Sequence, residues 1–150
     1  SGKSFVGKQL AFELGAVFID PDCILEERHG TTLANIVAKL GEKAFLEAEG
    51  QILLALDKQQ QYVIAPGGSA VYHEKAMQYL ASFSDIYYLE VSQAVLEQRI
   101  EIASRGIIGL EEKTFKMLYQ ERAPLYQQWA KKVLDGQQER AVLVTEILKG

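Results

Sequence analysis

Residues 1–22 read SGKSFVGKQLAFELGAVFIDPD, and the reading of this stretch decides the fold. Gly2-Lys3-Ser4 runs directly into a segment with apolar residues at Phe5, Val6, Leu10, Ala11 and Leu14, closed by Gly15. That spacing predicts a helix over 5–14 with a glycine at its C-terminus. AVFID (16–20) follows as a short buried strand. A Gly-Lys-Ser ahead of a helix is the latter half of a phosphate-binding loop, which follows the first strand of nucleotide-binding α/β proteins. The chain starts without methionine and without such a strand, so the expectation is that a strand and the loop's first glycine precede Ser1. As a bare tripeptide, the same residues also read as an ordinary helix start with Ser4 as its cap.

With 150 residues, 48% hydrophobic and 24% charged, the chain is sized for a single domain, 1–150, around one core. A net charge of −4 and a sequence pI near 5.3 weigh against nucleic acid or a membrane surface as a partner held by bulk charge. The expected partner is a small molecule. Cys23 is the only cysteine, which rules out an internal disulfide and favours a reducing, cytoplasmic setting. With only His29 and His73 beside it, no zinc site is expected. No apolar run reaches the roughly 18 residues that a bilayer span needs.

Beyond residue 22 the chain reads as helical to 56, broken at Gly30 and Gly41, with Thr31 or Thr32 capping LANIVAKL. YVIAPGGSAVY (62–72) reads as a strand entering a glycine turn, HEKAMQYLAS as a helix and DIYYLEV (85–91) as a strand. Ser92 is placed to cap the helix SQAVLEQRIEIAS. RGIIGLEEK (105–113) has no period and reads as an exposed loop. TFKMLYQERAPLYQQWAKK reads as helical with a break near Pro124, KVLD as a weak strand and QQERAVLVTEILK as a closing helix. Short apolar strands alternating with helices, without a tight hairpin signal, imply a parallel sheet covered on both faces. In such sheets ligands sit at the carboxyl ends of the strands, so polar residues just after each strand are the candidates for chemistry.

Five places just after a predicted element, most of them strands, qualify. Gly2, Lys3 and Ser4 would set backbone N–H groups and a helix N-terminus on a polyphosphate, with Lys3 on its outer phosphates and the Ser4 hydroxyl on Mg²⁺. Asp20-Pro21-Asp22 follows the first visible strand. Read as an extended segment, it projects both carboxylates to one side, where one can support a metal and the other accept a proton from a hydroxyl. Read as a helix start, it has Asp20 as cap and Pro21 at the first helical position. Gly67 and Gly68 end the third stretch of apolar chain, either to let a ligand approach the backbone or simply to turn it. Arg105 opens the exposed loop and Arg122 ends a helix in R-A-P-L-Y; arginines so placed can stabilise a transferring phosphoryl group.

The order of these strings resembles the shikimate kinase family, and the resemblance covers nearly the whole chain. SGKSFVGKQLAFELGAVFIDPD is similar to that family's G-K-S/T-x-x-G-x-x-L-A-x-x-L followed by F-x-D-x-D. GEKAFLEAE resembles G-E-x-x-F-R-x-x-E, VIAPGGSAV resembles V-I-x-x-G-G-G, RGII stands in the place of the lid R-P-L-L, and RAPLY matches R-x-P-L-Y. The resemblance implies a three-layer P-loop kinase with a five-stranded parallel sheet, order 2-3-1-4-5, whose first strand this chain lacks. It implies transfer of a phosphoryl group from MgATP to the 3-hydroxyl of shikimate by a cytoplasmic monomer. Lys3 and Ser4 would hold phosphate and magnesium, with Gly2 beside them, and Asp20 would support the metal. Asp22 would bind the acceptor hydroxyls and serve as base. Gly67, Gly68 and Arg122 would line the acceptor pocket, with Arg122 on its carboxylate, while Arg105 in a lid at about 104–113 would meet the phosphates. Residues 22–56 would form the acceptor-binding helical subdomain.

Three departures stand out. The family's second carboxylate-binding arginine is Leu46, the third glycine of G-G-G is Ser69, and the lid's proline is Gly106. They leave open a kinase of another small polyol or hydroxy acid, and a nucleotide- or metabolite-binding homologue without turnover. Because the absent strand is central in the implied order, residues 1–150 made alone are expected to fold or bind ATP poorly.

Overall fold

The structure is a computed structural model that describes residues 2–100 and 114–150. Helix α1 (Lys3–Leu14) starts after Gly2, whose φ of 79° is left-handed, and ends at Gly15. The chain then enters strand β1 (Val17–Ile19), as the alternation of helix and apolar run predicts. Helix α2 (Pro21–His29) follows at once, with Asp20 as its cap and Pro21 in its first turn. Helix α3 (Leu33–Leu40) is capped by Thr32, whose hydroxyl accepts from the Asn35 N–H, and Gly41 separates it from α4 (Glu42–Leu54). The breaks fall at the two expected glycines.

Strand β2 (Tyr62–Ile64) leads through Gly67 into a short 3₁₀ turn, Gly68–Tyr72, and then into α5 (Glu74–Phe83). Strand β3 (Tyr87–Glu90), helix α6 (Gln93–Ile100), helix α7 (Phe115–Trp129), strand β4 (Lys132–Asp135) and helix α8 (Arg140–Leu148) complete the described chain. Helix α7 departs from expectation, because it runs unbroken through Pro124. A proline inside a helix removes one hydrogen bond and crowds the preceding turn. Here long-range bonds hold both halves in line: Tyr119 donates to the Val91 carbonyl at 3.0 Å and Tyr126 to the Gly68 carbonyl at 2.8 Å. Arg122 therefore lies within the helix rather than at its end.

The strands pair in parallel, β1 with β2 in the register Phe18 to Val63, and β3 with β4 in the register Tyr88 to Val133. They form two two-stranded sheets, β1-β2 and β3-β4, with no described strand between β2 and β3. These are the outer neighbours of the expected order 2-3-1-4-5. Helices α1 and α8 cover one face of both pairs: Val6, Leu10, Leu143 and Val144 pack with Leu134 of β4, Val63 of β2 and Tyr87 and Leu89 of β3. On the other face Leu53, Met77 and Leu80 pack with Ile64, Ile86 and Trp129. This is the three-layer α/β arrangement read from the sequence. A separate cluster of Leu25, Ile36, Phe45 and Ile52 ties α2, α3 and α4 together as a helical lobe. Phe45, Ile36 and Leu53 are fully buried, and each such side chain contributes roughly 1.5–3 kcal/mol of hydrophobic burial. Among the described residues no helix is long and apolar enough to cross a membrane.

Candidate active site

The site forms where the ends of β1 and β2 meet the N-termini of α1 and α2. Asp20 is extended, at φ −122° and ψ 104°, but Pro21 and Asp22 are already helical. The expectation of two carboxylates on one extended segment is corrected here, because proline's fixed φ suits the first turn of a helix and starts α2 immediately. The two readings of Asp20 turn out to be compatible. Its Oδ1 caps α2, accepting from the N–H of Asp22 at 3.0 Å and of Cys23 at 3.4 Å. Its Oδ2 accepts from the Ser4 hydroxyl at 3.4 Å, across from α1.

Ser4 is thus inside α1 rather than its cap, and Gly2 in the cap position offers no side chain to the first-turn N–H groups. An uncapped helix N-terminus with a hydroxyl and a carboxylate beside it fits a phosphate with its magnesium, a hard cation that takes few protein oxygens and keeps the rest as water and phosphate. No group of three or more His, Cys, Asp or Glu that could hold a metal is present among the described residues. The donor set therefore suits a metal shared with a nucleotide, not a cage of protein ligands.

Lys3 sits in the first turn of α1, where burial lowers its proton affinity and Asp22, Asp20 and Glu49 raise it. Asp22 is shifted the other way, above the ordinary carboxyl range, mainly by burial and then by Asp20, with Lys3 opposing. A carboxylate so raised is a stronger base than one in water. Gly67 gives it room: a Cβ there would lie 2.8 Å from Asp22 Oδ2. Gly68 does the same for the opposite wall, since its Cβ would fall 2.6 Å from the Tyr126 hydroxyl and 3.3 Å from an Arg122 guanidinium nitrogen. Arg122 Nε donates to the Tyr72 hydroxyl at 3.2 Å, and its guanidinium carbon lies 5.2 Å from the Tyr72 ring centroid. Tyr72 in turn donates to Glu121.

Of the residues singled out by sequence, Lys3, Ser4, Asp20, Asp22, Gly67, Gly68 and Arg122 come together with Gly2 at this one place. Arg105 and the proposed lid 104–113 lie outside the described residues. Three further groups line the site: Tyr72, and Tyr126 and Glu49, which close the strings R-A-P-L-Y and GEKAFLEAE with no role assigned to them from sequence. Glu49 is wholly buried, accepts from the Ser69 hydroxyl at 3.0 Å and has its carboxyl pushed up to about 8, chiefly by burial and then by Asp22. A signal for it existed, because Glu49 falls on the apolar stripe of α4 between Phe45 and Ile52. Tyr72 gave none, since the groups it bonds, Arg122 and Glu121, lie on α7, while Tyr126 stood in the R-x-P-L-Y match without pointing to its partner Gly68.

A family model for shikimate kinase matches residues 1–150. The shikimate kinase of Chlorobium luteolum is 34% identical, with 99% of this chain covering 79% of that protein. That of Thermodesulfovibrio yellowstonii is 32% identical, with 85% of this chain covering 75% of its length. Among solved structures, shikimate kinase from Acinetobacter baumannii in complex with shikimate superposes with a TM-score of 0.86 at 29% identity, covering 99% of this chain and 85% of that one.

Proposed function

This chain belongs to the shikimate kinase family, and on that premise we propose that it transfers the γ-phosphoryl group of ATP to a hydroxyl of shikimate. The observation that carries the reading is the convergence of Asp22, raised in proton affinity and set over Gly67, with Lys3 and the Ser4–Asp20 pair at the start of α1. The α1 N-terminus and Lys3 bind the phosphates of the nucleotide. Ser4 and Asp20 would hold magnesium, which when bound neutralises charge on the β- and γ-phosphates.

Asp22 orients the acceptor hydroxyl and takes its proton as the oxygen attacks phosphorus in line and ADP departs. Lys3 stabilises the charge carried by the transferring group, a role for which a compact ammonium at the start of α1 is suited. Arg122, held by Tyr72 against the wall at Gly68, pairs with the acceptor's carboxylate. The helical lobe of α2, α3 and α4 completes the acceptor pocket, with the whole described chain acting as one kinase domain.

Leu46 supports a second reading. It packs against the lobe cluster of Leu25, Ile36, Phe45 and Ile52 and brings no charge to an acceptor carboxylate, so a related hydroxy acid or polyol is the alternative acceptor. The test is protein incubated with MgATP and either shikimate or a panel of related alcohols, with ADP followed and the product identified. Phosphorylated shikimate is expected. ADP release with another alcohol alone would select the second reading, and ATP binding without transfer to any acceptor would refute both.

A further inference from the structure

Asp22 and Glu49 share an unfinished hydrogen-bond account. Asp22 Oδ1 and Glu49 Oε2 are both buried and both without a hydrogen-bond partner, although the two carboxyls lie within reach of each other. A buried acceptor left unpaired costs on the order of 1–3 kcal/mol, and two ionised carboxylates cannot satisfy one another because neither has a proton to donate. One proton resolves both atoms at once.

The other oxygen of Glu49 is already committed, accepting from Ser69 at the turn after β2. That hydroxyl orients the carboxyl and leaves Oε2 as the atom that carries the proton. Leu46, one turn earlier on α4, is apolar and turned to the lobe core, so it supplies no cation to keep Glu49 ionised. Charge balance agrees: with Glu49 neutral, the carboxylates Asp20 and Asp22 stand against the cations Lys3 and Arg122.

We infer that Glu49 is a positioning residue, a neutral carboxylic acid that donates from Oε2 to Asp22 Oδ1 and holds the base with Oδ2 over Gly67. The inference rests on the kinase reading above. Its consequence is that loss of the Glu49 proton releases Asp22 and adds a second negative charge beside it. The groups facing Glu49 are Asp22 from α2, Lys3 from α1, Ser69 from the 3₁₀ turn, and Arg122 and Tyr126 from α7. His73 approaches α4 at Gly50 and pairs instead with Glu47, at 3.3 Å. Burial outweighs the cations and places the Glu49 transition near 8.

The discriminating variant is Glu49→Gln, whose amide donates permanently to Asp22 and still accepts from Ser69. Below the transition its kcat with shikimate is expected to lie at least about fivefold above that of Glu49→Ala, because the amide reproduces the donor of the protonated acid. In wild type kcat/KM is expected to fall as pH rises through about 8, and in this variant that fall is expected to disappear. Glu49→Ala, which removes the donor, is expected to lose on the order of ten- to a hundredfold in kcat with its KM for ATP little changed. Carboxyl ¹³C NMR of the protein without ligands provides a readout independent of turnover, with one carboxyl titrating near 8 in wild type and absent in Glu49→Gln.

Loss of activity in Glu49→Gln as deep as in Glu49→Ala would overturn the inference, as would an alkaline limb that survives the substitution or a Glu49 signal already ionised at neutral pH. Wild-type protein that turns over no acceptor yet shows the elevated carboxyl would instead fault the kinase reading and leave the pairing standing.

Discussion

Gly67→Ala tests the acceptor wall with a single methyl group. Gly67 has φ −64° and ψ 162°, a conformation alanine adopts freely, so the backbone itself resists nothing. The added Cβ would lie 2.8 Å from Asp22 Oδ2, 3.2 Å from Oδ1 and 3.3 Å from Cγ. Ordinary contact begins near 3.4 Å, so the carboxylate must retreat by about 0.6 Å. A misplacement of about 1 Å can cost about a hundredfold in rate, so the expected loss in kcat is about ten- to thirtyfold, or about 1.4–2 kcal/mol of transition-state stabilisation.

Stability should hardly change, because the displaced group is the end of a side chain. The assay is steady-state ADP release with MgATP and shikimate, paired with a thermal melt. Gly30→Ala is the control: it forces alanine to φ 64° in open space, so it should cost about 1–2 kcal/mol of stability and leave kcat alone. A Gly67→Ala enzyme with kcat within twofold of wild type would refute the placement of Asp22 as the base.

Asp22→Asn keeps the shape and removes the proton acceptor, and kcat should drop by at least about a hundredfold in the same assay. Leu46→Arg restores the charge-assisted partner that the family resemblance gives this position, and if shikimate is the acceptor its KM should fall roughly tenfold; no change would favour an acceptor without that carboxylate. Tyr126→Phe deletes the bond to the Gly68 carbonyl, and urea unfolding should report a loss of about 1 kcal/mol. Stability should also depend on pH through Glu49, whose carboxyl is raised from 4.5 to about 8. The folded state then holds a proton that the unfolded chain has released, so its contribution is complete below 4.5 and declines as pH rises toward about 8, by about 1.4 kcal/mol per pH unit. Urea titrations of wild type across that interval should show the decline, and Glu49→Gln should flatten it.

Local chemistry made most elements readable. Asp20-Pro21, Thr32, Gly15 and Gly41 mark helix starts and stops because caps and φ preferences act within a few residues. The Gly2-Lys3-Ser4 string, the Asp20–Asp22 pair and the Gly67-Gly68 turn were visible for the same reason, and their order along the chain carried the resemblance to a kinase family. The alternation of helix and apolar strand likewise announced a parallel sheet covered on both faces. What the chain could not announce was convergence.

Asp22 read equally as half of an extended pair or as the first turn of a helix, and the structure selects the helix and aims its side chain at Gly67; Pro124 read as a break and lies in a continuous helix, spanned by Tyr119 and Tyr126. Glu49 closes the string matched to G-E-x-x-F-R-x-x-E with no role legible there, yet it is a buried acid facing another acid. Each of these depends on groups far apart in sequence being desolvated together, and desolvation is a property of the packed interior, where the nearest charges and donors are set by the fold and not by neighbours along the chain.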